Sequence, residues 1–419
     1  MRILMLTQVA PYPPDAGPKV KTYYLLRKLA QHHDIELLTF ARDEREREAA
    51  RQLESLCSRV TAVQLERRRV REPHYAIRGW GRRQPFLVAR DYRRAMAAAV
   101  DQAVHTGRID AVHADQLSMA QYLPVSRSTS RRVRTVFDAH NAVWKLVQSL
   151  VKSQPTPAHR AAAAIEWRML RRFEGSACAH ADLTLAVSQI DADHLRTAAN
   201  GLGSYVVAPI GVEVQEAERI PFERSNKRLL SVATMHYPPN VDAIRWLRDA
   251  VWPLLTSEER SVGFDVIGSR PPADLVAWSA GDSNVAVHGF VPDLGPHLRR
   301  AGVFVVPLHA GSGMRVKILE AMAQGLPIVS TSVGVEGLPV NSGEHLLIAD
   351  SGDAFARAIR LLLEDAELRC RLAAAARSFA LAYDWRACLQ PVVDAYTRLA
   401  MQSSSDAFQF LDAAQLEVQ

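Results

Sequence analysis

Short apolar runs separated by helix-length stretches recur through this chain, and the series runs twice. Residues 2–7 and 35–40 read as strands with a helix over 18–31 between them, and 110–113, 133–137 and 183–187 continue the pattern. Apolar runs this short, alternating with helical stretches, suit parallel sheets covered on both faces. A Pro/Gly interruption at Ala208-Pro209-Ile210-Gly211-Val212 and a polar stretch to Lys227 break the rhythm. It restarts with strands at 229–232, 264–267, 285–287, 303–306 and 327–330 and helices over 240–255, 292–300, 314–324 and 352–375. The expectation is an α/β chain of two doubly wound, parallel-sheet domains, residues 1–208 and 209–383, facing across a cleft at the carboxyl ends of their strands. A helix over 384–400 is expected to cross back to the first domain, and 401–419 reads as a loose tail. A length of 419 residues allows each domain its own core.

Composition narrows the class. The chain is 48% apolar and 23% charged, which excludes disordered and fibrous classes. No run approaches the ~20 apolar residues of a membrane span. The start, Met1 to Thr7, is too short for a signal peptide and reads as the first strand. Cys57, Cys178, Cys370 and Cys388 are scattered, with neither metal-ligand spacing nor a disulfide framework, so a cytoplasmic setting is expected. The formal charge of +6 is uneven: residues 67–94 hold ten arginines against Glu72 and Asp91, with Trp80 and Phe86 among them. That segment is either a solvated face or a contact for an anionic membrane surface or charged acceptor. No nucleic-acid motif accompanies it, so nucleic acid is not an expected partner.

The densest chemistry lies after the 303–306 run, in Pro307-Leu308-His309-Ala310-Gly311-Ser312-Gly313-Met314-Arg315-Val316-Lys317-Ile318-Leu319-Glu320. A Gly-rich turn opening a helix presents free N–H groups, here from Gly313, Met314 and Arg315, as an anion site. Arg315 and Lys317 add charge, and Glu320, about two turns in, is placed to hold hydroxyls. The combination suits a sugar nucleotide. A helix turns about 100° per residue, so Arg315 and Lys317 do not share one face.

Other strand ends carry weaker signals. The first loop ends at Gly17, where backbone can approach a ligand, with Pro18 suited to the first helical turn. His113 and Asp115 end one strand, and Asp138-Ala139-His140-Asn141 follows the next, so polar groups converge there. Either histidine also fits a satisfied core position, and no defensible metal-ligand set forms. Asn240 is a candidate ligand contact or an N-cap for the helix beginning at Val241. Gly268 and the His288-Gly289-Phe290-Val291 turn supply further backbone contacts. No complete G-x-G-x-x-G follows the first strand, and no Walker loop or G-x-S-x-G elbow is present. Nicotinamide enzymes, P-loop nucleotidases and α/β-hydrolases are therefore disfavoured.

Glu320-Ala321-Met322-Ala323-Gln324-Gly325-Leu326-Pro327-Ile328-Val329-Ser330-Thr331 resembles the family-4 glycosyltransferases, whose two-Rossmann-domain architecture is called GT-B. Supporting pieces are the loop to Gly17, Pro209-Ile210-Gly211-Val212-Glu213, His288 to Val291, Val335-Glu336-Gly337-Leu338 and Tyr383-Asp384-Trp385. The resemblance implies retaining transfer from a nucleoside-diphosphate sugar to an acceptor hydroxyl, with donor in the second domain and acceptor in the first. It implies neither a strictly required metal nor a permanently bound cofactor. Within the family's E-x7-E motif Glu320 matches the ribose-binding carboxylate, whereas the first carboxylate falls at Ser312. The family's Arg and Lys after the first strand of the second domain are missing from Thr234 to Asn240, and Arg315 and Lys317 are the candidates to replace them. Its catalytic-loop histidine matches Asp115 or His113. The alternatives are a GT-B epimerase or phosphorylase, and a glycan-assembly protein with a decayed site.

Overall fold

The computed structural model describes residues 1–14, 17–66, 75, 79–106, 109–124, 132–151, 154, 156–214, 227–235, 237–310 and 316–416, with backbone only at 17–18 and 402–416. The chain divides into two compact units: Met1–Pro209 with Leu389–Gln419, and Ile210–Cys388.

Unit 1 is built on a seven-stranded sheet of order β3-β2-β1-β4-β5-β6-β7. Its strands are β1 Arg2–Thr7, β2 Asp34–Ala41, β3 Arg59–Gln64, β4 Ala111–Asp115, β5 Arg134–Asp138, β6 Leu183–Ala186 and β7 Tyr205–Val207. All neighbouring pairs are parallel. β3 and β7 were not expected. Neither is a long apolar run: β3 alternates between exposed and half-buried residues as an edge strand does, and β7 has three half-buried residues. Leu25, Leu26 and Leu29 of the Gly17–Leu29 helix are fully buried, and so are Lys21 and Thr22 on its earlier turns.

The Pro157–His180 helix begins at a Thr156 cap with Pro157 at its first position, a favourable start for its 24 residues. Its buried Glu174 accepts from Val143 N (3.0 Å) and Trp144 N (2.7 Å), satisfying the start of the Val143–Ser149 helix, whose own cap position is Ala142. Burial pushes the Glu174 carboxyl up to about 8 despite those two hydrogen bonds.

Unit 2 carries a six-stranded sheet of order β10-β9-β8-β11-β12-β13. The strands are β8 Arg228–Val232, β9 Phe264–Ile267, β10 Val285–His288, β11 Ala301–Val306, β12 Ile328–Ser330 and β13 Leu347–Ile348, again all parallel. Alternation along the strands sorts the core. Leu229, Phe264, Val266, Val303 and Val305 join Phe355 and Ile359 in one cluster, while Leu230, Ile267, Phe304 and Ile328 join Ile318, Leu319 and Met322 in another.

Three expected helices differ. The stretch over 240–255 is a Pro238–Trp246 α-helix that widens over Leu247–Val251 and tightens over Trp252–Leu254, where Pro253 interrupts it. The stretch over 352–375 is two helices, Gly352–Glu364 and Ala366–Ala380, because Asp365 leaves helical geometry and caps the second through Leu368 N at 2.8 Å. The last helix spans Trp385–Leu416, so backbone expected as a tail from 401 is helical to 416. The sequence from Ala407 to Leu416 is rich in helix formers.

Two of the motifs behind the family resemblance meet in unit 2. Val212 N donates to Tyr383 O (2.8 Å), Trp385 N to Val212 O (3.2 Å), and Val214 N to the Asp384 carboxylate (3.1 Å). A Cβ at Gly211 would sit 2.8 Å from the Trp385 ring, so this crossing needs glycine.

Candidate functional site

In open parallel sheets ligands bind at the strand carboxyl ends where strand order reverses. In unit 2 that point lies between β8 and β11. β11 ends at Val306, the chain passes Pro307 to Ala310, and the Val316–Gln324 helix follows. Gly313, Met314 and Arg315, the anion-binding candidates, lie outside the described residues. The approach to them is anchored at both sides. Thr331 Oγ1 donates to Leu308 O and accepts from Gly334 N (3.0 Å), and the His309 ring packs 4.2 Å from that of Trp246. On the helix, Lys317 Nζ donates to Glu320 Oε2 at 2.8 Å, with the side chains 51% and 43% exposed, so both remain reachable. Lys317, Glu320 and Gln324 line a small pocket with Val232, Leu298 and Phe304.

The other unit 2 candidates fall at neighbouring strand ends. Asn240 is not the helix cap. Pro238 and Pro239, which need no N–H partners, start the helix three residues earlier, and Tyr237 takes the cap position. The Asn240 amide instead donates to Thr234 O at 2.9 Å, fastening the loop after β8. Gly268 follows β9, and a Cβ there would lie 1.8 Å from Ala233 O. Glycine at 268 is therefore what lets the β8 loop pass, and Gly268→Ala is expected to destabilise unit 2 by about 1–3 kcal/mol. Urea unfolding checks this, and an unchanged midpoint would contradict the close approach. Phe290 projects from the loop after β10 and is 79% exposed.

A charged cluster lies toward the amino ends of β8 and β9. Buried Asp265 on β9 receives Arg228 Nε and Nη2, both at 2.8 Å, with His288 Nε2 at 3.2 Å and His297 Nδ1 at 3.4 Å. Burial opposes its ionisation, but hydrogen bonds from Arg228 and His288 overcome this and hold the carboxyl far below the usual carboxylate range. The two histidines and the carboxylate bring their ligand atoms within 4.8 Å of one another. Arg228 already spans both carboxylate oxygens and compensates the charge, so the cluster reads as a tie among β8, β9, β10 and the Gly295–Arg300 helix.

In unit 1 the strand order reverses between β1 and β4. Gly17 opens the first helix there. Lys21 and Thr22, one turn on, reach the ends of β4 and β5. Lys21 Nζ bonds Asp138 Oδ1 at 2.5 Å with both side chains fully buried, and Thr22 Oγ1 donates to Asp115 Oδ1 at 2.9 Å. His140, just past β5, brings Nε2 to 2.8 Å from Asp115 Oδ1 and 4.0 Å from Asp138 Oδ2. His113 Nδ1 lies 2.7 Å from the Tyr396 hydroxyl, while His113 Nε2 and Asp138 Oδ2 have no hydrogen-bond partner among the described residues. Burial pushes the His113 imidazole down and the Tyr396 hydroxyl well up, so both are neutral.

His113 is 0% and Asp115 1% exposed. His140 is the more open histidine of the pair, at 15%. Lys21 and Thr22 carried no sequence signal beyond polar residues on a largely apolar helix face. Part of the arginine-rich segment, 67–74 and 76–78, lies outside the described residues. No helix among the described residues is long and apolar enough to cross a membrane.

Comparison with known proteins agrees with this architecture. The Glycosyltransferase Family 4 model matches residues 17–216, and the Glycosyl transferases group 1 model matches 226–365. An uncharacterized 44.6 kDa protein of the Klebsiella pneumoniae cps region is 26% identical over 145 residues, 33% of this chain and 37% of its own length. D-inositol 3-phosphate glycosyltransferase of Geodermatophilus obscurus is 33% identical over 145 residues, 33% of this chain and 31% of its own. The chain thus spans about a third of the length of the curated relatives it matches. Sucrose-phosphate synthase from Thermosynechococcus elongatus superposes with a TM-score of 0.67 at 16% identity, over 96% of this chain and 100% of its own. Anabaena HepE in complex with UDP gives 0.62 at 15%, over 95% and 100%. With both halves matched in order and both sheets wound as this architecture requires, the chain belongs to the family-4 glycosyltransferases of GT-B fold.

Proposed function

We propose that this protein moves a sugar from a nucleoside-diphosphate sugar to an acceptor hydroxyl, with retention at the anomeric carbon, in assembly of a surface polysaccharide or glycolipid. The observation that carries the reading is Glu320, an exposed carboxylate on the helix that follows β11 at the reversal point of the unit 2 sheet, paired with Lys317. A carboxylate there accepts two hydrogen bonds from a ribose diol. Amides of Gly313, Met314 and Arg315, with the Arg315 and Lys317 side chains, take the diphosphate and steady the charge that builds on the leaving oxygen. Asn240, Gly268 and Phe290 frame the base and sugar from the neighbouring strand ends. Unit 1 takes the acceptor. The acceptor hydroxyl attacks C1 on the face the nucleotide leaves, and a departing phosphate oxygen receives its proton. The chemistry asks for no resident metal or cofactor.

Related proteins support the pathway class. One is encoded in a cps region, and another is a lipopolysaccharide core biosynthesis glycosyltransferase of Rhizobium meliloti, 40% identical over 87 residues. HepE was solved with UDP-glucose, which makes UDP-sugars the first donors to try. The test is incubation with a panel of nucleotide sugars and glycan or lipid acceptors, with products identified by mass spectrometry and the new linkage read by NMR. The expected product keeps the donor's anomeric configuration. An inverted centre would defeat retention, and conversion of the nucleotide sugar without any acceptor would point to an epimerase.

A further inference from the structure

We propose that Arg90 binds a phosphate carried by the acceptor, through the two Nη nitrogens of its guanidinium. This rests on the glycosyl-transfer reading and names the chemical class of acceptor that unit 1 takes.

The segment bearing Arg90 is clamped over the strand ends of unit 1. Trp80 Nε1 and Phe86 N both donate to Glu166 Oε2 at 3.0 Å, and Leu87 N donates to Glu166 Oε1 at 3.1 Å. Gln121, a few residues past β4, donates through Nε2 to Val88 O at 3.0 Å. Gln8, the first residue after β1, donates to Asp91 Oδ2 at 2.5 Å. These ties bring Arg90 and Asp91 to the carboxyl ends of β1 and β4, where strand order reverses and the doubly wound fold places ligands.

The guanidinium is held there without being used. Its Cζ lies 5.5 Å from the centre of the Phe86 ring, which fixes the head by a cation–π contact. Nε stands 3.4 Å from Asp91 Oδ1, longer than a charge-assisted hydrogen bond. That nitrogen is buried and has no hydrogen-bond partner among the described residues. Neither Nη1 nor Nη2 donates to a described residue, and the side chain is only 23% exposed, so water meets part of the head at most. Such unmet donors are rare in folded proteins and call for a partner. The planar fork matches two oxygens of one oxyanion.

The surroundings select phosphate. Residues 79–94 hold five arginines and a single carboxylate, Asp91. Arg93 spends its donors on backbone carbonyls, Arg90 O at 3.0 Å, Tyr92 O at 2.7 Å and Glu66 O at 2.6 Å, so its charge adds to that of Arg90. A phosphate monoester brings up to two negative charges and three acceptor oxygens, whereas a hydroxyl meets the fork with one neutral oxygen.

Glucose 6-phosphate and glucose form a matched pair of probes, titrated into the full chain by ligand-observed NMR. The phosphorylated sugar should bind about 10- to 100-fold more tightly, the range for hydrogen bonds to a charged group. Arg90→Gln should erase that difference. Arg90→Lys keeps the charge without the fork and should recover part of it. Arg82→Gln, at an exposed arginine of the same segment, should leave it intact, which separates a shaped contact from bulk charge. The ratio of the two affinities within one variant does not depend on the fraction folded. A second arm, cosedimentation with phosphatidylcholine vesicles with or without phosphatidic acid, reads a lipid-borne phosphate. A preference lost in Arg90→Gln supports the assignment in either arm, and the arm that shows it identifies a soluble sugar phosphate or a lipid phosphate as the source. No phosphate preference in both arms, or one undiminished in Arg90→Gln, would overturn the assignment and leave glycosyl transfer standing. An Arg90-dependent preference in a protein that transfers sugar from no donor would instead overturn the parent reading, and the acceptor role with it.

Discussion

Asp138→Ala should cost unit 1 roughly 3–5 kcal/mol, because it strands a buried ammonium. Lys21 and Asp138 are both fully enclosed, 2.5 Å apart, and the Lys21 ammonium has left water entirely. A buried ion pair adds little over a well-packed apolar pair, but removing one partner leaves the other's desolvation uncompensated. The substitution also takes the Asp138 acceptor from His140 N. A double change, Asp138→Leu with Lys21→Met, removes both charges and should recover much of the loss. Hydrogen exchange read on peptides of β5 during urea unfolding would report unit 1 separately. A single variant as stable as the wild type would contradict the burial, and a double variant no better than the single would contradict the electrostatic cause. Acid should act in the same direction. Burial opposes ionisation of Asp138, yet the charge and hydrogen bond of the Lys21 ammonium offset it and lower the carboxyl below its usual range. The folded state therefore binds this proton less readily than the unfolded one. The stabilisation is present above the ordinary carboxylate range and is lost as the pH falls through and below it.

Glu320→Ala is expected to reduce kcat/KM for the donor by about 100- to 1,000-fold, the range seen when one preorganised polar contact is removed from a site, with little change in stability. The carboxylate is 43% exposed and its ion pair with Lys317 is solvated, so the fold draws little from it. In the role proposed for it, a ribose diol satisfies both oxygens at once. Glu320→Gln keeps one acceptor oxygen and the size of the side chain, and should fall between. Donor affinity by calorimetry with UDP separates ribose binding from chemistry. Wild-type donor affinity and turnover in Glu320→Ala would remove the residue from the site. A loss equalled by Lys317→Ala alone would shift the role to the ammonium.

Much of the architecture was legible in residue order. The short apolar runs at 2–7, 264–267 and 303–306 became central strands because alternating side chains must enter the cores on both faces. Edge strands escaped notice for the converse reason: β3 and β7 are half solvated and lack the run that marks burial. Helix ends were misjudged where an unannounced cap decided them, as at Asp365 and at the Pro238-Pro239 start that displaced Asn240.

The site divides along the same line. Glu320 and Lys317 could be offered as candidates because both lie on one local segment, in which helical spacing alone fixes their relation. Periodicity records which way a side chain faces its own layer, and so the sequence by itself determined two parallel α/β halves and the helix that bears Glu320. Only the tertiary structure decided that Asp115 bonds His140, that Tyr396 meets His113 from 283 residues away, and that Lys21 pairs with Asp138. Those pairings depend on which strands become neighbours, and strand order is set by long-range packing of whole layers rather than by any local pattern.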